Sequence, residues 1–393
     1  VILVSHPTVN SFVRALVEAL HREGMLGEFH TTLALGRRKV NVPAGLVRSH
    51  PWREAVRLLA GRMGIASLVR HEAGWASVDQ VYLSLDRQVA RALPAIATAP
   101  SAIYAYEDGA LETFQAAKRL GIRRVYDLPI AYWERSRQLL SEEAERLPQW
   151  EPTLFATRDS AAKLERKTRE LAMADLVVCP SRFVQESLPG GTPSLVAEFG
   201  SPPLSPLCPL GPLREGDRLL EEGKRPLRIL FAGSMTQRKG LADLFEAMKS
   251  LAPSHAELIV MGAPLAPMSF YLQHYPKFRH EKPRAHSEVL ALMQSCDVLA
   301  LPSIVEGRAL VQQEALSCGL PLIVTANAGG EELIEEGETG FLVPIRSPQS
   351  IARKIQWFLD HRDALPRMRR AAQAMAARFT WEAYSQKIIS RLR

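Results

Sequence analysis

The chain has 393 residues, 47% of them hydrophobic and 23% charged, with a formal net charge of +7. That is enough apolar material for two domain cores, and no apolar run approaches the ~18 residues that a membrane span needs. The positive balance favours anionic partners, but nucleic acid is disfavoured because no zinc-finger, RNA-binding or helix-turn-helix pattern accompanies it.

In chain order, Val1 to Val4 is an apolar run that predicts a strand, and Ser5-His6-Pro7 is the loop before a helix over Ser11 to Arg22. A dinucleotide-binding fold places a Gly-rich phosphate loop here, and this chain has none. His6 and the helix start at Asn10 are expected to face a ligand cleft. From Pro51 to His71, apolar Val56, Leu59, Met63 and Leu68 alternate with Arg53, Arg57, Arg62 and Arg70. This predicts a basic amphipathic helix or helix pair, either docked on its domain or lying on an anionic membrane. A strand over Ala102 to Tyr106, a helix over Leu111 to Leu120 and a strand ending in Val125-Tyr126-Asp127-Leu128-Pro129 follow. Glu107-Asp108 and Asp127 thus stand at consecutive strand ends, where carboxylates can accept hydrogen bonds from ligand hydroxyls.

Residues 158–173 read as a charged helix, Leu176 to Cys179 as a buried strand, and Pro180-Ser181 as the next helix start. Pro202, Pro203, Pro206, Pro209 and Pro212 then crowd one stretch ahead of the charged run Arg214 to Arg225. Proline blocks both helix and central strand, so this is a domain boundary. The expected division is residues 1–205, a linker over 206–226, a second domain over 227–376 and a terminal helix within 377–393. Cys179, Cys208, Cys296 and Cys318 stand singly without metal-ligand spacing, as reduced thiols of a cytosolic protein do.

The second half opens with the strand LRILFAGS from Leu227, whose end holds Gly233 and Ser234. Arg238-Lys239-Gly240 then precedes a helix over Leu241 to Met248, and two cations ahead of a helix start can meet one anion. Leu258 to Met261 is a strand ending in Gly262, and Lys282-Pro283-Arg284 turns into a helix over Ser287 to Gln294. The stretch Asp297 to Pro344 reads strand, loop, helix, strand: Val298 to Leu301, a helix over Leu310 to Ser317 closed by Gly319, and Leu322 to Thr325. Glu306 falls in the loop at the strand's carboxyl end, where open α/β sheets bind ligands, and Glu314 about one turn into the helix. The first free N–H groups, at about Arg308, Ala309, Leu310 and Val311, form an anion site, and Glu314 can accept hydrogen bonds from a ribose diol. Together these describe a nucleotide diphosphate.

Pro302, Ser303, Glu306, Gly307, Glu314, Ala315, Gly319, Pro321, Gly329, Gly330, Glu332, Gly337, Gly340 and Pro344 make this segment resemble the signature region of retaining glycosyltransferases of family 4, within glycosyl transferases group 1. The resemblance implies an α/β, GT-B architecture: two Rossmann-like domains facing each other across a cleft. It implies transfer of a hexose, with retention, from a UDP- or GDP-sugar to a sugar, lipid-linked or small-molecule acceptor. Donor-side positions are then Gly233, Ser234, Gly262, Arg284, Gly307, Arg308, Ala309, Leu310, Val311 and Glu314. The catalytic candidates are Glu306, Lys239, Arg238 and Asp127, and the acceptor-side candidates are His6, Asn10, Glu107 and Asp108.

Three features depart from the family pattern. Arg308 and Ala309 stand where an aromatic and then a small residue are usual, and Arg308 is expected to add a phosphate contact or narrow the sugar pocket. Ser234 holds the place of the family's diphosphate arginine, so Arg238 is expected to supply that charge beside Lys239. Tyr126-Asp127-Leu128 lacks the family's histidine, which leaves Asp127 as the candidate nucleophile. No Asp-x-Asp motif appears, so neither metal nor cofactor is expected. The rival readings are a catalytically degenerate nucleotide-sugar-binding protein and a nucleotide-sugar epimerase on the same plan. The expected location is the cytoplasm, with peripheral contact at the inner membrane face.

Overall fold

The computed structural model describes residues 1–36, 39–96, 98–202 and 224–393. The expected linker lies outside these residues except for 224–226, and so does Cys208. The first half runs β1 (Ile2–Ser5), α1 (Ser11–Arg22), β2 (Leu26–Thr31), β3 (Val47–Ser49), α2 (Trp52–Arg62), α3 (Ala66–Val69), α4 (Val78–Ala92), β4 (Ala102–Tyr106), α5 (Leu111–Arg119), β5 (Arg123–Asp127), α6 (Trp133–Arg146), α7 (Ala161–Met173), β6 (Leu176–Cys179), α8 (Arg182–Glu186) and β7 (Ser194–Val196). The second runs β8 (Leu227–Ala232), α9 (Leu241–Lys249), β9 (Ala256–Met261), α10 (Met268–His274), β10 (Phe278–Glu281), α11 (His286–Gln294), β11 (Val298–Leu301), α12 (Leu310–Ser317), β12 (Leu322–Val324), β13 (Gly340–Leu342), α13 (Pro348–Asp360), α14 (Leu365–Arg378) and α15 (Trp381–Leu392).

Two parallel sheets result, ordered β3-β2-β1-β4-β5-β6-β7 and β10-β9-β8-β11-β12-β13. Helices cover both faces of such sheets, so their strands are continuous apolar runs rather than alternating ones. β1, β6 and β11 accordingly have every residue buried. The strand order reverses between β1 and β4 in one sheet and between β8 and β11 in the other, and loops at such points form ligand crevices. Cys179, Cys296 and Cys318 are buried, and among the described residues no helix is long and apolar enough to cross a membrane.

Among the described residues, two segments cross over and pack into the other half. Thr380 caps α15, and that helix lies on α1, burying Tyr384, Ile388, Ile389 and Leu392 in the first sheet's core. In the opposite direction, the segment after α6 sits on the second sheet: Trp150 packs edge-on against Phe245, Phe270 and Tyr271. Arg146 pairs with Asp243 at 2.8 Å, and Gln237 donates to the fully buried Glu143 at 2.8 Å. A stretch numbered within the first half therefore completes the core of the second, where Trp150 finds its apolar slot among Phe245, Phe270 and Tyr271.

Candidate functional site

The loops after β8 and β11 meet where the second sheet reverses its order. Gly233 has φ 145°, and a Cβ there would stand 2.8 Å from the Lys239 side chain, so the glycine leaves the lysine its path. Lys239 Nζ donates to Glu306 Oε1 at 2.6 Å, and Arg238 Nη1 donates to the same oxygen at 2.6 Å and to the Val305 carbonyl at 2.9 Å. Burial opposes ionisation of Glu306, yet Arg238 and Lys239 together hold its carboxyl below the ordinary value. Burial also pulls Lys239 below its ordinary value, against the attraction of Glu306. One carboxylate oxygen thus serves two cations.

The same loop is wedged between the halves. A Cβ on Gly307 would meet the Pro129 carbonyl oxygen at 1.7 Å, and Ser181 Oγ donates to the Gly307 carbonyl at 2.6 Å. Ile304 and Val305 pack with Ala131, Leu139, Leu140 and Leu154. Gly262 is equally confined, its Cβ position 1.8 Å from the Gly233 carbonyl oxygen. Just past this loop, Ala309 is the N-cap of α12, and Leu310 and Val311 begin the helix half-buried. Glu314 lies one turn on, 3.6 Å from His286 Nδ1, and burial raises its carboxyl while His286 opposes the rise. It lines a cavity of about 60 Å³ with Leu310, His286, Trp381, Gly200 and Ser11. A second cavity of about 70 Å³ opens between Arg238 and Val305 on one side and Trp133, Arg137 and Lys167 on the other.

Other candidates are placed differently from expectation. Arg308 turns inward: its side chain is fully buried, Nη1 reaches the Gly329 carbonyl at 3.2 Å and Glu332 at 3.1 Å, and the guanidinium lies 4.9 Å from the Phe379 ring centre. It lies over one aromatic ring and pairs with Glu332, and these contacts hold it inward, with Nε and Nη2 left without hydrogen-bond partners. His6 is buried against Phe12 and Tyr106, its Nδ1 2.7 Å from the Thr8 carbonyl, and burial pulls it down to about 3. Asn10 spends its Oδ1 on capping α1 through the Val13 N–H.

Asp127 is 3% exposed, with His6 Nε2 3.8 Å away, and burial pushes its carboxyl up to about 7. In this structure the carboxyl is enclosed, and its Oδ2 lacks a hydrogen-bond partner. Glu107 and Asp108 are paired within the first half: Lys167 lies 3.1 Å from Glu107 and Arg166 holds Asp108 at 2.8 Å. Arg284 pairs with Glu281, and Ser234 is half-buried beside Gly233.

Several supporting residues carried no sequence signal. Gln237 is fully buried, with Nε2 donating to Glu143 and Asp243 and Oε1 accepting from the Ala242 N–H, which steadies the turn that presents Arg238 and Lys239. Gln312 Nε2 holds the Ala328 carbonyl at 2.7 Å, fixing the glycine loop beside α12. His286, facing Glu314, was legible only as a polar residue near a helix start. Among the described residues one group, His71, Glu72 and Asp159, brings three metal-ligand atoms within 4.8 Å, but Lys163 already pairs with Asp159 at 3.0 Å.

Residues 217–375 match the family described as glycosyl transferases group 1. The D-inositol 3-phosphate glycosyltransferase of Corynebacterium glutamicum is 30% identical over 194 residues, 44% of this chain and 46% of that protein. The glycogen synthase of Mycobacterium tuberculosis is 31% identical over 167 residues, 40% of each chain. The chain thus spans less than half the length of these curated relatives in its matches. Among solved structures, sucrose-phosphate synthase from Thermosynechococcus elongatus superposes with a TM-score of 0.68 at 16% identity, covering 99% of this chain and 97% of its own. Anabaena HepE, in complex with UDP and glucose, gives 0.62 at 17% identity over 100% of this chain and 98% of its own. These whole-chain superpositions establish the fold as GT-B.

Proposed function

We propose that the protein transfers a hexose from a UDP- or GDP-sugar to a sugar, lipid-linked or small-molecule acceptor, with retention of configuration and without a metal. The observation that carries this reading is the convergence of Arg238 and Lys239 on the single carboxylate of Glu306, directly ahead of the α12 start. Two cations facing one anion leave a positive surplus, and a helix start adds partial positive charge. A diphosphate fits that surplus. On binding, it takes over the cations and frees Glu306 to accept hydrogen bonds from the donor sugar, while Glu314 holds the ribose diol. The group 1 match over this region supports the reading, and the UDP bound to HepE makes UDP-sugars the first donors to test.

In the reaction, the bond from the anomeric carbon to the phosphate oxygen breaks as the acceptor oxygen bonds to that carbon on the same face. Negative charge grows on the departing diphosphate, where Arg238, Lys239 and the N–H groups of Leu310 and Val311 stabilise it, typically the largest catalytic contribution. Because Asp127 is enclosed, the leaving phosphate oxygen is the base that takes the acceptor's proton. The contacts of Gly307 with Pro129 and Ser181 close the loop against the first domain, which excludes water from the donor.

The test is thermal unfolding with UDP, GDP, ADP and their sugar conjugates, followed by product analysis with candidate acceptors. A true donor at a hundredfold excess over its Kd adds about 2.7 kcal/mol of stability. Lys239→Ala and Glu314→Ala are expected to abolish that shift. A shift with no transfer or donor hydrolysis would favour the binding-protein reading, release of an altered sugar without acceptor would favour the epimerase, and no shift at all would end the proposal.

A further inference from the structure

Helix α2 is amphipathic, yet its apolar stripe faces away from the protein. Trp52, Ala55, Leu59 and Met63 are spaced three or four residues apart and so share one face. Trp52 is 73% exposed, Leu59 58% and Met63 64%, and Ile65 in the following turn is also exposed. The inward side holds the buried Ala60 and Glu54 with the half-buried Val56 and Leu58, and Glu54 pairs with Arg57 at 2.6 Å. A surface helix ordinarily buries its apolar stripe, so this inversion needs an occupant for the outer face.

The charges say which occupant. Between Ser49 and Arg70 the sequence has four arginines, Arg53, Arg57, Arg62 and Arg70, and one acid, Glu54, which is turned inward. Arg57 is held by Glu54 and Arg53 by Trp75, so the outer face of this segment presents bulky apolar groups flanked by the exposed Arg62 and Arg70, with no carboxylate of its own. Arg53 donates to the Trp75 carbonyl at 2.6 Å and lies 4.5 Å from the Trp75 ring centre, which adds a second exposed indole to the patch. A protruding helix with indole and aliphatic side chains between arginines has the chemistry of a segment that lies in the headgroup layer of an anionic bilayer.

We propose that α2 and the turn after it, from Trp52 to Ile65, dock this protein on an anionic lipid surface. The placement is suited to a membrane-borne acceptor, a consequence that rests on the transfer reading. Downstream of α3, His71 meets Asp159 at 3.0 Å, and Glu72 accepts from the Ser160 N–H at 2.8 Å, both at the head of α7. Lys167 of that helix lines the cavity that Arg238 also lines. The lipid-facing helix and the acceptor side of the cleft are thus joined by one short stretch of chain.

The experiment is co-sedimentation with vesicles of phosphatidylcholine, with and without phosphatidylglycerol, in the absence of donor and acceptor, so that it stands or falls separately from glycosyl transfer. Binding is expected only with phosphatidylglycerol, and Leu59→Ser with Met63→Ser, or Arg62→Glu alone, should weaken it by about tenfold or more. The intact protein should show a blue-shifted tryptophan emission on binding that Trp52→Phe reduces and Trp52→Phe with Trp75→Phe lacks. Failure to bind anionic vesicles would overturn the proposal. So would binding that the serine variant leaves unchanged, which would mean adsorption of a basic protein by charge alone. A dimer in light scattering that the serine variant dissolves, without vesicle binding, would assign the face to a second copy of the chain.

Discussion

Each sheet places charged residues at the point where its strand order reverses, but the two places are put to different use. After β4 and β5, Glu107, Asp108 and Asp127 are either paired within their own domain or enclosed: Lys167 takes Glu107, Arg166 takes Asp108, and Lys163 takes Asp79 at 2.9 Å. Glu170 accepts the N–H groups of Asp108, Ala110 and Leu111. After β8 and β11, by contrast, Arg238 and Lys239 share the single carboxylate of Glu306. A charge cluster matched by its own neighbours serves rigidity. One with surplus charge beside a cavity is available to a ligand.

The largest effect should come from breaking the matched cluster. Lys167→Met leaves Glu107 buried without its cation, and removing one partner of a buried pair typically costs about 3–5 kcal/mol. Denaturant unfolding should show that loss while the nucleotide-induced thermal shift persists. The unmatched cluster should respond in the opposite way: Lys239→Ala is expected to lower turnover about 10²–10³-fold with little loss of stability, as removal of a charge-stabilising donor does. Assays of turnover and melting on the two variants test the contrast, and equal behaviour would refute it.

Gly307→Ala tests the seam between the two regions. Its Cβ would strike the Pro129 carbonyl oxygen, so the loop must shift, at about 1–3 kcal/mol, and turnover should fall with it because Glu306 is the adjacent residue. A variant with unchanged melting temperature and turnover would show that the seam is open in solution.

Per pH unit, the smallest effect is a pH dependence confined to the first domain. Asp127 titrates near 4 when unfolded and at about 7 when folded, so its contribution to stability is full below about pH 4 and is lost as pH rises through 7. His6, pulled down from about 6.5 to about 3, contributes above about pH 6.5 and loses that contribution as pH falls toward 3. The two slopes oppose each other. Asp127→Asn should remove the first and expose the second, so that stability climbs with pH from about 4 to 6.5 by up to about 1.4 kcal/mol per unit. Unfolding curves at several pH values would show it, and identical profiles for both proteins would remove the buried pair from the account.

Much of the fold was legible in the sequence. The expected Ser11–Arg22 helix, the strands Ala102–Tyr106, Leu176–Cys179 and Val298–Leu301, and the Leu310–Ser317 helix coincide with the observed bounds. Doubly covered strands are short apolar runs closed by Gly or Pro, a signal contained in a few consecutive residues. The grouping of Arg238, Lys239 and Glu306 was also within reach, because strand ends of one parallel sheet lie along one edge.

The amino-acid sequence by itself therefore determined the central strands, the helices that follow them and the edge at which charged loops would gather, since these follow from local periodicity and turn chemistry, while short edge elements such as β3, β7 and β10 carried too little pattern. Only the tertiary structure decided that Arg308 turns onto Phe379, that Glu107 is consumed by Lys167, that Trp150 belongs to the second core and that α2 shows its apolar stripe to the outside. The direction of a loop charge or an aromatic ring depends on partners tens to hundreds of residues away, and no local pattern contains them. Desolvation then separates the outcomes: a charge enclosed with its partner is held in place, and a surplus charge at a cavity remains for a ligand.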